Sequence, residues 1–133
     1  GQIKRYKGFI AKRKRNASYL THGLSDLEKF LQLPRVRKDT EHVFMFYPIV
    51  VKNGVDRNDL VNFLEENLIE TRYLLPLLNQ PVYKKLFGDI EHKYPVSQRL
   101  NKDAFYIGCH TGITKKELDY IIKKFPNYFE NKN

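Results

Sequence analysis

Nine consecutive residues, Val43 to Val51 (VFMFYPIVV), carry no charge and are dominated by β-branched and aromatic side chains. Such a run reads as a strand. Successive strand residues point to opposite faces. One face then carries Val43, Met45, Tyr47, Ile49 and Val51, and the other Phe44, Phe46, Pro48 and Val50. Both faces are apolar, so both need cover. One layer of helices covers only one face, and the other asks for a further surface. Pro48 lacks a backbone donor and predicts an edge position or a bulge.

The rest of the 133-residue chain supplies one domain around that strand. Its apolar share of 41% and aromatic share of 14% are enough for a core and exclude global disorder. The one cysteine, Cys109, has no internal partner for a disulfide, as expected in a reducing compartment. No apolar run approaches the roughly 18 residues that span a bilayer. Residues 1–5 lack the apolar stretch of a signal peptide. The expected setting is cytoplasmic, with no membrane partner.

The net charge of +9 is concentrated in one segment. Lys4, Arg5, Lys7, Lys12, Arg13, Lys14 and Arg15 lie among residues 1–15 with no acid between them. The remaining 17 basic and 15 acidic residues nearly balance. Nucleic acid is therefore a disfavoured partner, and the basic run reads as a solvated helix face. In that helix Ile3, Tyr6, Ile10, Ala17, Leu20 and Leu24 recur at steps of three and four, with Arg13 in the one gap. The stripe asks for a partner surface.

Residues 26–33 (DLEKFLQL) read as a short second helical stretch ended by Pro34, and residues 35–41 as a polar connection. After the strand, Asn53-Gly54 marks a turn. Asp56 can N-cap a helix whose buried stripe is Leu60, Val61, Leu64 and Leu68. A short strand at Ile69–Leu74 leads into residues 75–95, which are apolar but lack periodicity and read as an irregular loop. Further elements are a helix at Val96–Lys102 and a strand at Ala104–Cys109. The last helix opens on Thr114 and Glu117 in capping-box spacing and is limited by Pro126. Its core face is Leu118, Ile121, Ile122 and Phe125.

The expected fold is α+β: a small, mostly antiparallel sheet of about three strands with helices packed on one face, preceded by a long basic amphipathic helix. Residues 1–33 form a linking helix region and residues 34–133 the small α+β domain, together one structural unit.

No catalytic, cofactor or metal motif stands out. The four histidines are scattered, and adjacent Cys109 and His110 would point to opposite faces of a strand. Arg72, Asn79, Gln80 and Tyr83 punctuate the apolar loop. They can either face a ligand at a pocket edge or be surface polar groups of a packed loop.

Around that loop the sequence resembles the C-terminal domain of the DegT/DnrJ/StrS family of sugar aminotransferases. The resemblance rests on Ile69-Glu70-Thr71-Arg72, Pro76, Gln80-Pro81, Tyr83, Tyr94-Pro95-Val96, Phe105 through Thr114, and Glu117 through Tyr120. Arg57 through Leu60 also fits, and residues 1–33 resemble the helix that joins the family's two domains. The resemblance implies a pyridoxal-phosphate enzyme that moves an amino group onto a nucleotide-linked keto-sugar. It places the cofactor lysine in a large domain N-terminal to this chain, a domain that would be its main partner within a homodimer. Cofactor-binding and catalytic residues are then expected elsewhere. The candidate contacts here to the nucleotide-sugar substrate are Arg72, Asn79, Gln80, Tyr83 and His110. Many members carry a His-Tyr pair before the loop proline; here those positions are Leu74 and Leu75. Two other readings stand beside this one: a basic nucleic-acid-binding module, and a stand-alone interaction domain without catalysis.

Overall fold

A computed structural model describes residues 2–130. Gly1 of the 1–33 region and residues 131–133 of the 34–133 domain lie outside the described residues. In chain order the elements are α1 (Tyr6–Gly23), β1 (Leu31–Gln32), β2 (Phe46–Val51), α2 (Arg57–Glu66), β3 (Thr71–Tyr73), α3 (Pro81–Phe87), α4 (Pro95–Asp103), β4 (Ala104–Gly108) and α5 (Lys115–Glu130). The sheet has the order β1-β2-β4-β3, and every pairing is antiparallel. The α+β architecture thus has four strands, one more than the sequence suggested.

The extra strand corrects the reading of residues 26–33 as helical. Only Ser25–Leu27 make a helical turn; Leu31 and Gln32 then pair with Val51 and Val50. Leu31 is fully buried, so a long-range pairing outweighs the local helical pattern. Because β1 is so short, no strand pairs with residues 46–49 of β2 on that side. This open stretch of edge accommodates Pro48.

The core lies between one sheet face and helices α1, α2 and α5. Tyr47, Ile49 and Val51 of β2 meet Phe105 and Ile107 of β4 on that face, all buried. Ala17, Leu20 and Leu24 come from the α1 segment, Leu60, Val61 and Leu64 from α2, and Leu118, Ile121 and Phe125 from α5. Each buried Leu, Ile, Val or Phe among them contributes roughly 1.5–3 kcal/mol by leaving water. Gly23 lets α1 approach α5 closely, since a Cβ there would sit 2.4 Å from Cδ1 of Ile122.

The second sheet face is covered at one end. Helix α4 packs against β2 and β4, and Arg99 Nη2 donates to Gln32 Oε1 at 3.2 Å. Val50 and Ala104 are buried there. Phe46 and Tyr106, whose ring centroids are 4.5 Å apart, remain half-buried at the other end.

Three further expectations are corrected. The strand begins at Phe46, not Val43, because Phe44 takes φ +52° and breaks the alternation. Phe44 turns into the core, while Val43 and Met45 face solvent. Arg13 holds the bend, its Nη1 donating to the carbonyls of Phe44 at 3.1 Å and Met45 at 2.7 Å. Leu68 is not part of the buried stripe; it takes φ +61° just after α2 and is 93% exposed. Pro126 does not end α5, which continues to Glu130. Beyond it Tyr128 Oη donates to Asp59 Oδ2 at 2.8 Å and Phe129 stacks on Phe30, contacts that offset the missing helical hydrogen bond.

Candidate functional site

Residues 72–103 include no buried residue. The expected irregular loop is largely helical: a 3-10 turn at Leu77–Asn79, helix α3, a 3-10 turn at Glu91–Lys93, then α4. Pro81 and Pro95 stand in the first turns of α3 and α4, where their missing donors cost nothing. Those two prolines are the sequence signal that would have revealed both helices. Between β3 and α4 the apolar side chains form an open groove of about 590 Å³, lined by Leu74, Leu75, Pro76, Tyr94, Val96 and Leu100. The Leu74-Leu75 pair is its wall. Leu77, Val82, Leu86 and Phe87 are exposed in the same segment.

A polar staple holds this segment together. Asn79 Nδ2 and Asn101 Nδ2 both donate to Glu91 Oε1, at 3.0 and 3.2 Å. Asn79 Oδ1 is buried and has no hydrogen-bond partner among the described residues. Arg57 joins α2 to the same region: Nη1 donates to the Asn101 carbonyl at 2.5 Å, and the guanidinium lies 4.3 Å from the Tyr73 ring centre. Glu91 carried no signal in the sequence, because a single polar residue in an apparent loop has no periodicity; Asn101 and Arg57 lie on expected helices, and only the fold brings them to this segment.

Of the five candidate contact residues, four lie in this segment. Asn79 faces inward to Glu91. The Gln80 carbonyl receives the first amides of α3, from Tyr83 at 2.9 Å and Lys84 at 3.1 Å. The Tyr83 ring stacks on Phe87 with centroids 6.0 Å apart. Arg72 sits on edge strand β3, exposed, opposite Tyr106 and 2.5 Å from Glu70 Oε1. His110 is at the other end of the sheet. Chain exit from β3 at Tyr73 lies beside Phe105, whereas His110 follows the far end of β4 and lines a cavity with Leu68, Ile69 and Glu70, the acid that pairs with Arg72. His110 Nδ1 accepts from the Gly112 amide at 3.0 Å, which fixes the turn into α5.

Among the described residues, the ionisable groups show no nucleophile or base set for covalent chemistry. Burial pushes the Cys109 thiol up to about 11, a protonated and inert form at neutral pH. Every described lysine is exposed or half-exposed. A Schiff-base lysine needs a desolvated setting that depresses its pKa. The one lysine with a marked shift, Lys115, moves upward, held charged by Asp119 Oδ2 at 2.8 Å. Within this domain none of the described lysines stands in such a setting. Among them, no cluster of His, Cys, Asp or Glu could hold a metal ion, and no helix is long and apolar enough to cross a membrane.

Comparison with known proteins agrees with the motif reading. Residues 1–126 match the model of the DegT/DnrJ/EryC1/StrS aminotransferase family. The chain is 34% identical to the lipopolysaccharide biosynthesis protein RfbH of Salmonella typhimurium, over 96% of this chain and 30% of that protein. It is 28% identical to dTDP-4-dehydro-2,6-dideoxy-D-glucose 3-dehydratase of Saccharopolyspora spinosa, over 96% of this chain and 28% of that protein. Among solved structures, the E. coli GDP-4-keto-6-deoxy-D-mannose-3-dehydratase with bound hydrated PLP superposes with a TM-score of 0.79 at 24% identity. That match covers 92% of this chain and 32% of the other. The chain thus spans about a third of the length of the proteins it matches.

Proposed function

This chain belongs to the DegT/DnrJ/EryC1/StrS aminotransferase family, and we propose on that premise that it is the small C-terminal domain of a pyridoxal-phosphate enzyme acting on a nucleotide-linked keto-sugar. Residues 1–33 serve as the linking region and residues 34–133 as the small domain. The observation that carries this reading is the segment 72–103. Its helices bury no residue of their own, yet they present a coherent apolar groove. A surface of that kind is a contact surface awaiting cover. The large domain supplies that cover, together with the cofactor and its lysine, in a homodimeric parent. The small domain shapes the mouth of the site. Arg72, Gln80, Tyr83, Asn79 and His110 are its candidate contacts with the nucleotide sugar, and the exposed Arg72 fork suits a phosphate or carboxylate. A cytoplasmic setting accords with the free, buried Cys109.

Amino transfer is the first reading. Sugar 3-dehydration is the second, favoured by the two relatives that carry that name. Incubating the full polypeptide with pyridoxal phosphate, an amino donor and a nucleotide-linked keto-sugar separates them by product mass. Replacement of the keto oxygen by an amine supports the first, and loss of a ring hydroxyl supports the second. Neither product from a folded, cofactor-loaded enzyme overturns both. Borohydride trapping on residues 1–133 adds a check on the cofactor lysine: a single stoichiometric lysine adduct there contradicts its placement in the large domain.

A further inference from the structure

Resting on the nucleotide-sugar reading above, we propose that Arg57 is a positioning residue, whose guanidinium sets the spacing between the two walls of the apolar groove and so places the substrate contacts beside it. The side chain reaches the root of each wall. Its Nη1 donates to the Asn101 carbonyl at 2.5 Å, directly after Leu100 of the α4 wall. The guanidinium lies 4.3 Å from the Tyr73 ring centre, directly before Leu74 and Leu75 of the opposite wall. Two candidate contacts hang from the same points. Arg72 precedes Tyr73 on β3, and Asn79 is tied through Glu91 to the Asn101 side chain.

Arg57 does not serve its own helix. It is the first residue of α2, where a cation opposes the helix dipole, and Asp56 already caps that end. Its partners lie across the fold instead. The Asn101 carbonyl belongs to the last turn of α4, whose final carbonyls lack an intrahelical donor, and the Ala104 carbonyl is 3.5 Å from Nη1. A cation there also meets the negative end of α4. Nε and Nη2 donate to Asn58 Oδ1 at 3.2 and 3.0 Å, which fixes the plane of the fork. Residues 72–103 bury no side chain of their own, so directional bonds carry the placement of the walls. The bond from Arg99 to Gln32 ties α4 to β1, at the sheet edge away from β3. Arg57 spans the side that this bond leaves open.

Steady-state kinetics and hydrogen exchange on the full polypeptide test this together. Arg57→Met keeps the stem and drops the fork. It should raise KM for the nucleotide-linked keto-sugar roughly tenfold while kcat stays within about twofold. Amides of α4 should exchange about tenfold faster in that variant, while α5 amides keep wild-type protection. Arg57→Lys should behave like Arg57→Met, because a point charge cannot serve a carbonyl and a ring face at once. Arg57 also borders an open polar cavity of about 460 Å³, through which free guanidinium can reach a truncated site. In Arg57→Ala, guanidinium added well below denaturing concentrations should restore both KM and α4 protection. An unchanged KM in Arg57→Met, or full rescue by lysine, overturns the proposal. So does loss of α5 protection together with that of α4, which marks a role in global stability. A cofactor-loaded wild type that converts no nucleotide sugar sinks the enzyme reading and this proposal with it. An active wild type beside an unaffected Arg57→Met refutes the role of Arg57 alone.

Discussion

Asn16 on α1 donates through Nδ2 to the backbone carbonyl of His110, 94 positions later in the chain, at 3.0 Å. Asn16 is buried, and the part-buried bond ties α1 to the turn between β4 and α5. Asn16→Ala removes the donor and should lower stability by about 1–3 kcal/mol. Urea unfolding at neutral pH measures the loss. An unchanged midpoint would show that water replaces the amide at no cost.

Leu68 stands in the left-handed region at the C-terminus of α2, where glycine or asparagine is the usual occupant. The Ile69 amide reaches back to the Leu64 carbonyl and the Leu68 amide to that of Glu65, both at 2.9 Å, so the motif is intact despite the wrong residue. Leu68→Asn should raise stability by about 1 kcal/mol, since the side chain is exposed and only backbone strain changes. A thermal melt that shifts downward would reveal a packing role for Leu68.

Arg72 and Asn79 should separate cleanly. The Arg72–Glu70 pair is exposed and contributes little to folding. Arg72→Ala should leave the melting temperature in place. In the full enzyme it should cost roughly 1–3 kcal/mol of transition-state binding if the guanidinium meets the ligand. Asn79→Ala should instead loosen the staple to Glu91 and lower stability by about 1 kcal/mol. Unaltered kinetics for Arg72→Ala would remove it from the ligand site.

Alkaline pH should destabilise the fold. Burial raises the Tyr47 hydroxyl from 10.0 to about 12, against a smaller opposing effect of the Thr21 hydroxyl bond at 2.8 Å. Burial likewise raises Cys109 from 9.0 to about 11. Both groups are neutral when protonated, so the folded state retains protons that the unfolded state releases. Their stabilisation is complete below pH 9 and is lost as pH climbs through about 11 and then about 12. Urea midpoints between pH 8 and 12 should fall, and Tyr47→Phe should flatten the upper part of the fall. A flat profile in the wild type would contradict the burial of both groups.

Much of the framework is legible locally because the determining atoms are close in sequence. Asp56 caps α2 by accepting from the amides of Asn58 and Asp59 at 2.8 and 3.1 Å. Glu117 accepts from both the amide and the hydroxyl of Thr114 at 2.7 Å, the reciprocal box that the spacing announced. Asn53 and Gly54 both take positive φ, as a tight turn requires. The apolar run that includes β2, the stripes of α2 and α5, and the partly uncovered stripe of α1 follow from periodicity alone.

The departures arise wherever a residue distant in the chain supplies the deciding contact. Arg13 pins the carbonyls of Phe44 and Met45, so β2 starts late and Phe44 turns inward. Val50 and Val51 recruit Leu31 and Gln32 out of a helical pattern. Phe30 and Asp59 hold α5 together past Pro126. The candidate site belongs to this second class. Residues 57–60 and 69–120 announced its family through their motifs, but only tertiary packing turned Asn79 toward Glu91 and set His110 beyond the end of β4 opposite to Tyr73's partner Phe105. Periodicity encodes what a segment does with its own backbone; a hydrogen bond across the fold exists only once the fold has brought its two ends together.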